Sequence, residues 1–455
     1  DAANVDIHDA LGSGATALLL QSGAPAEIGQ LLDGVVLMAV GLGLGGEAAT
    51  QAHYRTIIER AEAQGEAADM LDLDAGLDVL TQADEGLALH ALAPSGHRLF
   101  RIDGWGRHNL GLTAAQELGY VLAGVAELFR AAESAGIAPA DIAGRVSVRL
   151  ALPADMFAGI AACRAMRRLW NGILLACGID PVPVRIEGFA SLRMMSVLDH
   201  EVNMLRTTTA FLGGAIGGAD AMAGFGHDLL TGETPGARRT ARLAQVLMMA
   251  ESEIARSLDP AAGAPFIESR TDDLADAGWS AFQEIEVAAG LSVAINAGMI
   301  DAQAAAAASE REARMRAGEE LLGVTLQPTS GMPPEILSAF GAVRRPAACV
   351  EAIRRRTAEF SPRILILRGA TDSVVAEERG IRRWLDMAGL QAVTLDAGSG
   401  SVVSDARPDI VIGCGLTALP EGVEAGNFRS ASAILDASDR IAALEDLLVQ
   451  KGGAR

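Results

Sequence analysis

The stretch Leu99–Thr113, LFRIDGWGRHNLGLT, decides how the chain reads. Its opening residues are apolar and strand-favouring around one arginine, and Gly104 ends the run. Trp105, Arg107, His108 and Asn109 then crowd into what reads as a short loop, and Thr113 with nearby Glu117 starts the next helix. A strand that empties aromatic and polar side chains into a βα loop is the usual anatomy of an α/β enzyme site.

Outward from this point, short apolar runs alternate with amphipathic segments. Strands are expected near 15–21, 34–40, 68–74, 98–103, 146–152, 182–188, 220–225 and 264–268, with helices such as 48–64, 113–136, 153–177 and 236–258 between them. This alternation predicts a (β/α)8 TIM barrel over residues 1–290. A doubly wound open sheet is the alternative, but no early strand is followed by Gly-x-Gly-x-x-Gly. Residues 291–360 read as a helical and extended linker: a solvated Ala-rich helix over 302–318 carries Glu310 and Arg314 at i,i+4, and a Pro-rich stretch follows over 326–345. Residues 361–455 read as a small flavodoxin-like, doubly wound domain, with strands at 363–367, 391–395 and 409–413 and a fourth at 430–435.

The chemistry available is restricted. Lys451 is the one lysine, so neither a Schiff-base lysine nor a P-loop lysine is on offer in the folded parts. The seven histidines form no H-x-x-x-H pair, and none follows His227. Four cysteines lie far apart with no C-x-x-C pair, as expected of buried thiols in a reducing compartment. A net charge of −21 argues against general binding to nucleic acid or anionic membranes. No apolar run reaches spanning length, and the acidic start DAANVDIHDA does not have the pattern of a signal peptide. A cytoplasmic location is the expectation.

Three long, ordered runs resemble the methylmalonyl-CoA mutase family. They are RAMRRLW at 164–170; SLRMMSVLDHEVNMLRTTTAFLGGAIGG at 191–218, with its D-x-x-x-N-x-x-R-T core; and 254–290, with Asp259-Pro260, Ile267-Glu268-Ser269 and Gln283-Glu284-Ile285-Glu286. The resemblance implies a substrate-enclosing barrel, a linker and a cobalamin domain. It also implies radical interconversion of methylmalonyl-CoA and succinyl-CoA, begun by adenosylcobalamin.

The positions that matter to that family differ here. Where active members are expected to carry adjacent Tyr and His after the fourth strand, this chain has Trp105 and Gly106. His108, two positions on, resembles the H-N-x-G of non-catalytic small subunits and reads as a residue that structures the loop. An arginine expected after the third strand is missing, since no Lys or Arg occurs between Arg60 and Arg98; Asp72, Asp74 and Asp78 stand there instead. Arg185 matches a family arginine that contacts the CoA moiety, but Gly188 replaces the serine after it, and an ion pair with Glu187 or an aspartate is expected. Ala223 stands where a CoA-contacting His is expected. The cobalamin motif D-x-H-x-x-G is reduced to Asp372 and Gly380 without the histidine.

The resemblance therefore implies a non-catalytic small (beta) subunit of a heterodimeric, adenosylcobalamin-dependent mutase. Such a chain has no catalytic, cofactor-binding or metal-binding residues of its own and keeps a vestigial pocket around Trp105, His108 and Arg185. It binds no cofactor itself and pairs with a catalytic large (alpha) subunit that holds adenosylcobalamin. The competing readings are an active cobalamin-dependent acyl-CoA mutase of altered specificity, with Trp105 narrowing the pocket, and a CoA-ester-binding module without catalysis.

Overall fold

The computed structural model describes residues 2–21, 23–329, 331–358, 362–371, 373–397, 408–416, 423 and 425–449. They divide into two compact units, one of residues 1–192, 204–229 and 233–307, the other of 193–203, 230–232 and 308–455.

The first unit is a nearly closed parallel barrel. Its strands are β1 (Ala17–Leu20), β2 (Gly41–Leu44), β3 (Leu73–Asp78), β4 (Arg98–Asp103), β5 (Val146–Leu152), β6 (Arg185–Ala190) and β7 (Ala221–Ala223), hydrogen-bonded in chain order. Every pairing is parallel. The two-residue alternation of a strand explains both faces of the wall. Phe100 and Ile102 of β4 point outward, where they lie against Gly86 and Gly124 of flanking helices. Arg101, between them, points into the lumen and reaches Glu187 of β6. Curvature is read from such contacts: Arg185 of β6 pairs with Asp72, just ahead of β3, at 3.3 Å. The two ends of the wall are tied as well. Arg238 and Arg242, on the helix Pro235–Ala250 after β7, pair with Asp6 and Asp9 on the helix Ala2–Gly12 before β1.

Three expectations are corrected. The residues 264–268 are not an eighth strand but open the helix Pro265–Val287. Proline at the first helical position favours that start, and Phe266 and Ile267 then separate, one exposed and one buried. Seven barrel strands stand among the described residues. The segment 34–40 is not a strand; the glycine-rich Gly41–Leu44 after it is. Gly43 and Gly45 lie against the Arg101 guanidinium, and Gly41 against Asp72, so the wall is thin where large side chains cross the lumen. The residues after β4 form no loop but the helix Gly104–Leu110, with Asp103 accepting from Gly106 N at 3.1 Å as its cap.

The second unit holds a four-stranded parallel sheet of β8 (Ile364–Arg368), β9 (Ala392–Asp396), β10 (Ile410–Cys414) and β11 (Phe428–Ser430), in the order β11-β10-β8-β9. That is the 2-1-3-4 order of a flavodoxin-like sheet. The fourth strand lies earlier than 430–435, because Ala431–Leu435 is already helical. The helix Ala348–Ala358 of the linker region supplies Val350 and Ile353 to this unit's core, beside Ile364, Ile366, Ile410 and Trp384. Glu351 on the same helix is fully buried and receives Arg345 at both carboxylate oxygens, together with Ser196 Oγ and Val197 N. These partners outweigh the burial that opposes its charge and hold its carboxyl below the usual range. No helix among the described residues is long and apolar enough to cross a membrane.

Candidate functional site

In a barrel of this kind the C-terminal ends of the strands are where chemistry is done. That mouth is filled by aromatic side chains. Trp105, one residue into the helix after β4, donates its indole N–H to Ala190 O at 2.9 Å, across to the end of β6. Its ring lies 5.7 Å from that of Phe189 on β6 and 6.0 Å from that of Phe225, just past β7. Phe189 in turn carries the Arg149 guanidinium 4.1 Å above its ring centre.

Beneath the aromatic layer the lumen is occupied by charge. Arg101 pairs with Asp74 at 2.9 Å and with Glu187 at 3.1 Å, and Glu187 also accepts from Arg149 at 3.0 Å. All four side chains are less than a tenth exposed. Arg101 further donates to Leu44 O. Burial alone would raise the Asp74 pKa, but Arg101, Ser147 and the Gly76 N–H favour the carboxylate and hold it below the usual range. A bulge at Gly76, with φ of +64°, lets the chain pass this cluster; a Cβ there would strike Leu44 O and the Arg101 guanidinium.

His108 is bound on both ring nitrogens. Nδ1 meets Glu117 Oε2 at 2.9 Å and Nε2 meets Ser191 Oγ at 2.9 Å, with the residue 3% exposed. The other Glu117 oxygen accepts from Ala151 N on β5 at 2.7 Å. Glu117 thus holds a turn and a strand together, while the cap of its own helix is Thr113, in a capping box with Gln116.

Arg185 lies elsewhere. It is the first residue of β6, whereas Trp105 meets the last, and at 3.3 Å rise per residue the strand ends are roughly 17 Å apart. Its partner is Asp72, shared with Arg98. The structure thus brings Trp105 and His108 to one end of the barrel and puts Arg185 at the other. Sequence reasoning passed over Arg101, Arg149, Phe189 and Phe225. The signal for the two arginines was there: each interrupts an apolar strand at the lumen-facing phase.

A family model described as Methylmalonyl-CoA mutase matches residues 94–338, from just before β4 through the aromatic mouth and beyond. The "Probable methylmalonyl-CoA mutase small subunit" of Mycobacterium tuberculosis (strain ATCC 25618 / H37Rv) is 34% identical over 464 aligned residues, covering 91% of this chain and 73% of the relative. The chain belongs to the methylmalonyl-CoA mutase family. The "Methylmalonyl-CoA mutase small subunit" of Streptomyces virginiae is 36% identical over 338 residues, 69% of this chain and 54% of that one. The "Methylmalonyl-CoA mutase" of Escherichia coli (strain K12) is 31% identical over 202 residues, 44% of this chain and 28% of its own length.

A cobalamin of this family would sit at the strand ends of the small sheet, where order reverses between β8 and β10. There the β8–β10 ladder runs on by one bond. Gly369 N donates to Cys414 O at 2.8 Å, and a Cβ on Gly369 would stand 2.6 Å from Gly415 O. Gly415 N in turn donates to Glu377 Oε2 at 2.7 Å, and Ser373 Oγ to Glu377 Oε1 at 2.8 Å. These groups offer hydroxyl and carboxylate oxygen; no imidazole follows His227 in the chain. Asp372 lies outside the described residues. The Cys414 sulfur there belongs to the core, fully buried with its thiol pushed up to about 11 by burial, and Met387, at the far end of the helix Val374–Met387 and 4% exposed, is core as well. The donor set does not fit the imidazole lower ligand that the family resemblance implies.

Proposed function

We propose that this chain is the non-catalytic small subunit of an adenosylcobalamin-dependent methylmalonyl-CoA mutase, acting in the cytoplasm as one half of a heterodimer. It pairs with and stabilises a catalytic large subunit, and that subunit alone holds adenosylcobalamin and interconverts methylmalonyl-CoA and succinyl-CoA. The observation that carries this reading is the barrel's filled interior. Trp105, Phe189 and Phe225 occupy the mouth, and Asp74, Arg101, Glu187 and Arg149 occupy the lumen, the space in which the family encloses its substrate. A thioester entering there would have to unpair buried charges that have no water to turn to. The small-subunit names of the mycobacterial and streptomycete relatives support the same reading.

The experiment takes the chain alone and together with a co-expressed large subunit. Alone, it is expected to leave the visible spectrum of hydroxocobalamin unchanged and to give no succinyl-CoA from methylmalonyl-CoA with adenosylcobalamin. With the large subunit it is expected to co-purify in equimolar amounts as an active complex. Turnover by the isolated chain would overturn the reading.

A further inference from the structure

Aromatic residues make up 4% of this chain, and nearly all of those described are buried or half-buried. Among the described residues two aromatic side chains are exposed, Phe157 at 44% and Phe266 at 59%. They touch each other. Their rings meet edge to face, 5.4 Å apart, joining the first turn of the helix Met156–Ala176 to the first turn of the helix Pro265–Val287. Since the helix Met156–Ala176 follows β5, this pair stands on the barrel's C-terminal rim. It is built on a firm base: Ile160 and Ile267, one turn and one residue further on, are buried together with Ala261. Leu258, in the segment just ahead, is fully exposed.

Two exposed phenylalanines held in contact over a packed base are an unfavourable surface for water and a favourable one for another protein. The surroundings specify that protein further. Arg270 lies 5.9 Å from the Phe266 ring centre and is tethered by Asp155 at 2.7 Å, and Arg164 is held by Asp259 and Glu268. The local arginines are thus neutralised, and of the seven Asp and Glu at 251–276 four are paired, Glu253 with Arg256, Asp259 and Glu268 with Arg164, and Asp272 with Arg168, which leaves Glu251, Asp273 and Asp276 in surplus. Exposed Asp273 and Asp276 have no ion-pair partner among the described residues. The patch is apolar at its centre and acidic around it, and the whole chain bears −21. Its complement is an apolar pocket rimmed by arginine or lysine.

We infer that Phe157 and Phe266 anchor the surface by which this chain grips its large subunit, docking into a basic-rimmed apolar pocket there. The inference rests on the pairing proposed above and assigns that pairing a place. The full-length chain carrying Phe157→Ser and Phe266→Ser together is to be titrated against the purified large subunit, beside the wild type and a Leu92→Ser control, Leu92 being exposed at 68% and far along the chain. The double variant should weaken binding about 100-fold, the control less than about threefold. Unfolding midpoints of all three should agree, because the altered side chains are exposed. A photo-crosslinking amino acid at position 266 should join the two subunits. Raising salt from about 50 to about 500 mM should weaken the wild-type complex about tenfold, through screening of the acidic rim. Tight binding by the double variant with no crosslink at 266 would overturn this surface while leaving the pairing intact. A wild-type chain that fails to bind at all would overturn the pairing itself. An affinity indifferent to salt would overturn the basic rim.

Discussion

The barrel and the small sheet each present the place where their fold keeps a ligand, and the described residues narrow each by a different means. In the barrel the closure is made by side chains: Trp105 over Phe189 and Phe225, then Arg101, Arg149, Asp74 and Glu187 beneath. The scaffold around them is intact, with strands in parallel register from β1 to β7. In the small sheet the narrowing is made mainly by backbone: a Cβ on Gly369 would stand 2.6 Å from Gly415 O, and one on Gly415 would strike Thr371 Oγ1. A lumen filled with side chains can be altered one residue at a time and the consequence measured. A crevice narrowed by main chain can only be pried apart. The comparison predicts large, residue-specific effects in the barrel and smaller, steric ones in the sheet.

The largest effect is expected from Glu187. It bridges Arg101 and Arg149, so Glu187→Ala leaves two buried guanidinium groups facing each other and should cost the barrel about 3–5 kcal/mol. Replacing Asp74, Arg101, Glu187 and Arg149 together with Leu, Met, Leu and Met should cost far less, or stabilise, since none of the four buried charges is left orphaned. Denaturant unfolding, followed by hydrogen exchange at β5 to isolate the barrel, measures both. If the quadruple variant is as unstable as Glu187→Ala, the network is not a set of paired charges filling otherwise apolar space.

Next comes the aromatic mouth. Trp105→Ala removes a large ring packed against two others and an indole hydrogen bond, for an expected loss of about 3 kcal/mol. The vacancy has the shape of indole. Added indole should therefore raise the variant's unfolding midpoint and leave the wild type unchanged. No recovery would mean that Phe189 and Phe225 collapse into the gap.

In the small sheet, Gly369→Ala pushes a methyl against Gly415 O and should cost about 1–3 kcal/mol, read from exchange at β8 and β10. A neutral outcome there would show that the strand ends part readily, and would remove the contrast with the barrel.

The same contrast explains what the sequence could disclose. β4 and β5 were legible to the residue because their apolar runs are long and bounded by Gly104 and Pro153. β2 was misplaced by a whole element. Its residues Gly41 and Gly43 are glycine because Asp72 and Arg101 cross the lumen beside them, so a strand made thin for a distant side chain reads locally as a loop. The supposed eighth strand failed for the opposite reason: APFIE is apolar enough for a strand, but Pro265 sets the helical φ and Phe266 faces outward. Trp105 and His108 were identified from sequence as neighbours in one turn. Of their separate partners Glu117 is only nine residues from His108, but Ala190 O for Trp105 and Ser191 for His108 lie 85 and 83 residues on and depend on how β6 returns beside β5. Arg185 joined them through its match to a CoA-contacting arginine of the family, and strand membership alone does not say which end of the barrel a residue occupies.

The smallest effect expected is a difference in how the two units respond to acid. In the barrel unit His97 is fully buried, with Nε2 against Ala68 O at 2.8 Å and Nδ1 against the Tyr54 hydroxyl at 2.6 Å. Burial holds its pKa below the ordinary 6.5, and nearby Arg145 acts in the same direction. As pH falls through 6.5 the unfolded chain takes up a proton that the folded barrel refuses, so barrel stability declines from there downward. In the other unit the Glu351 carboxyl is held below its ordinary 4.5, so its contribution is whole above that value and is lost as pH falls beneath it. Protection at β5, taken relative to the intrinsic exchange rate at each pH, should therefore fall between about pH 6.5 and 5, before protection at β8 and β10 responds. His97→Gln should flatten the first response and leave the second, and Glu351→Gln the reverse. If both units lose protection together in the wild type, they unfold as one cooperative body, and the comparison between them holds only for their sites and not for their stabilities.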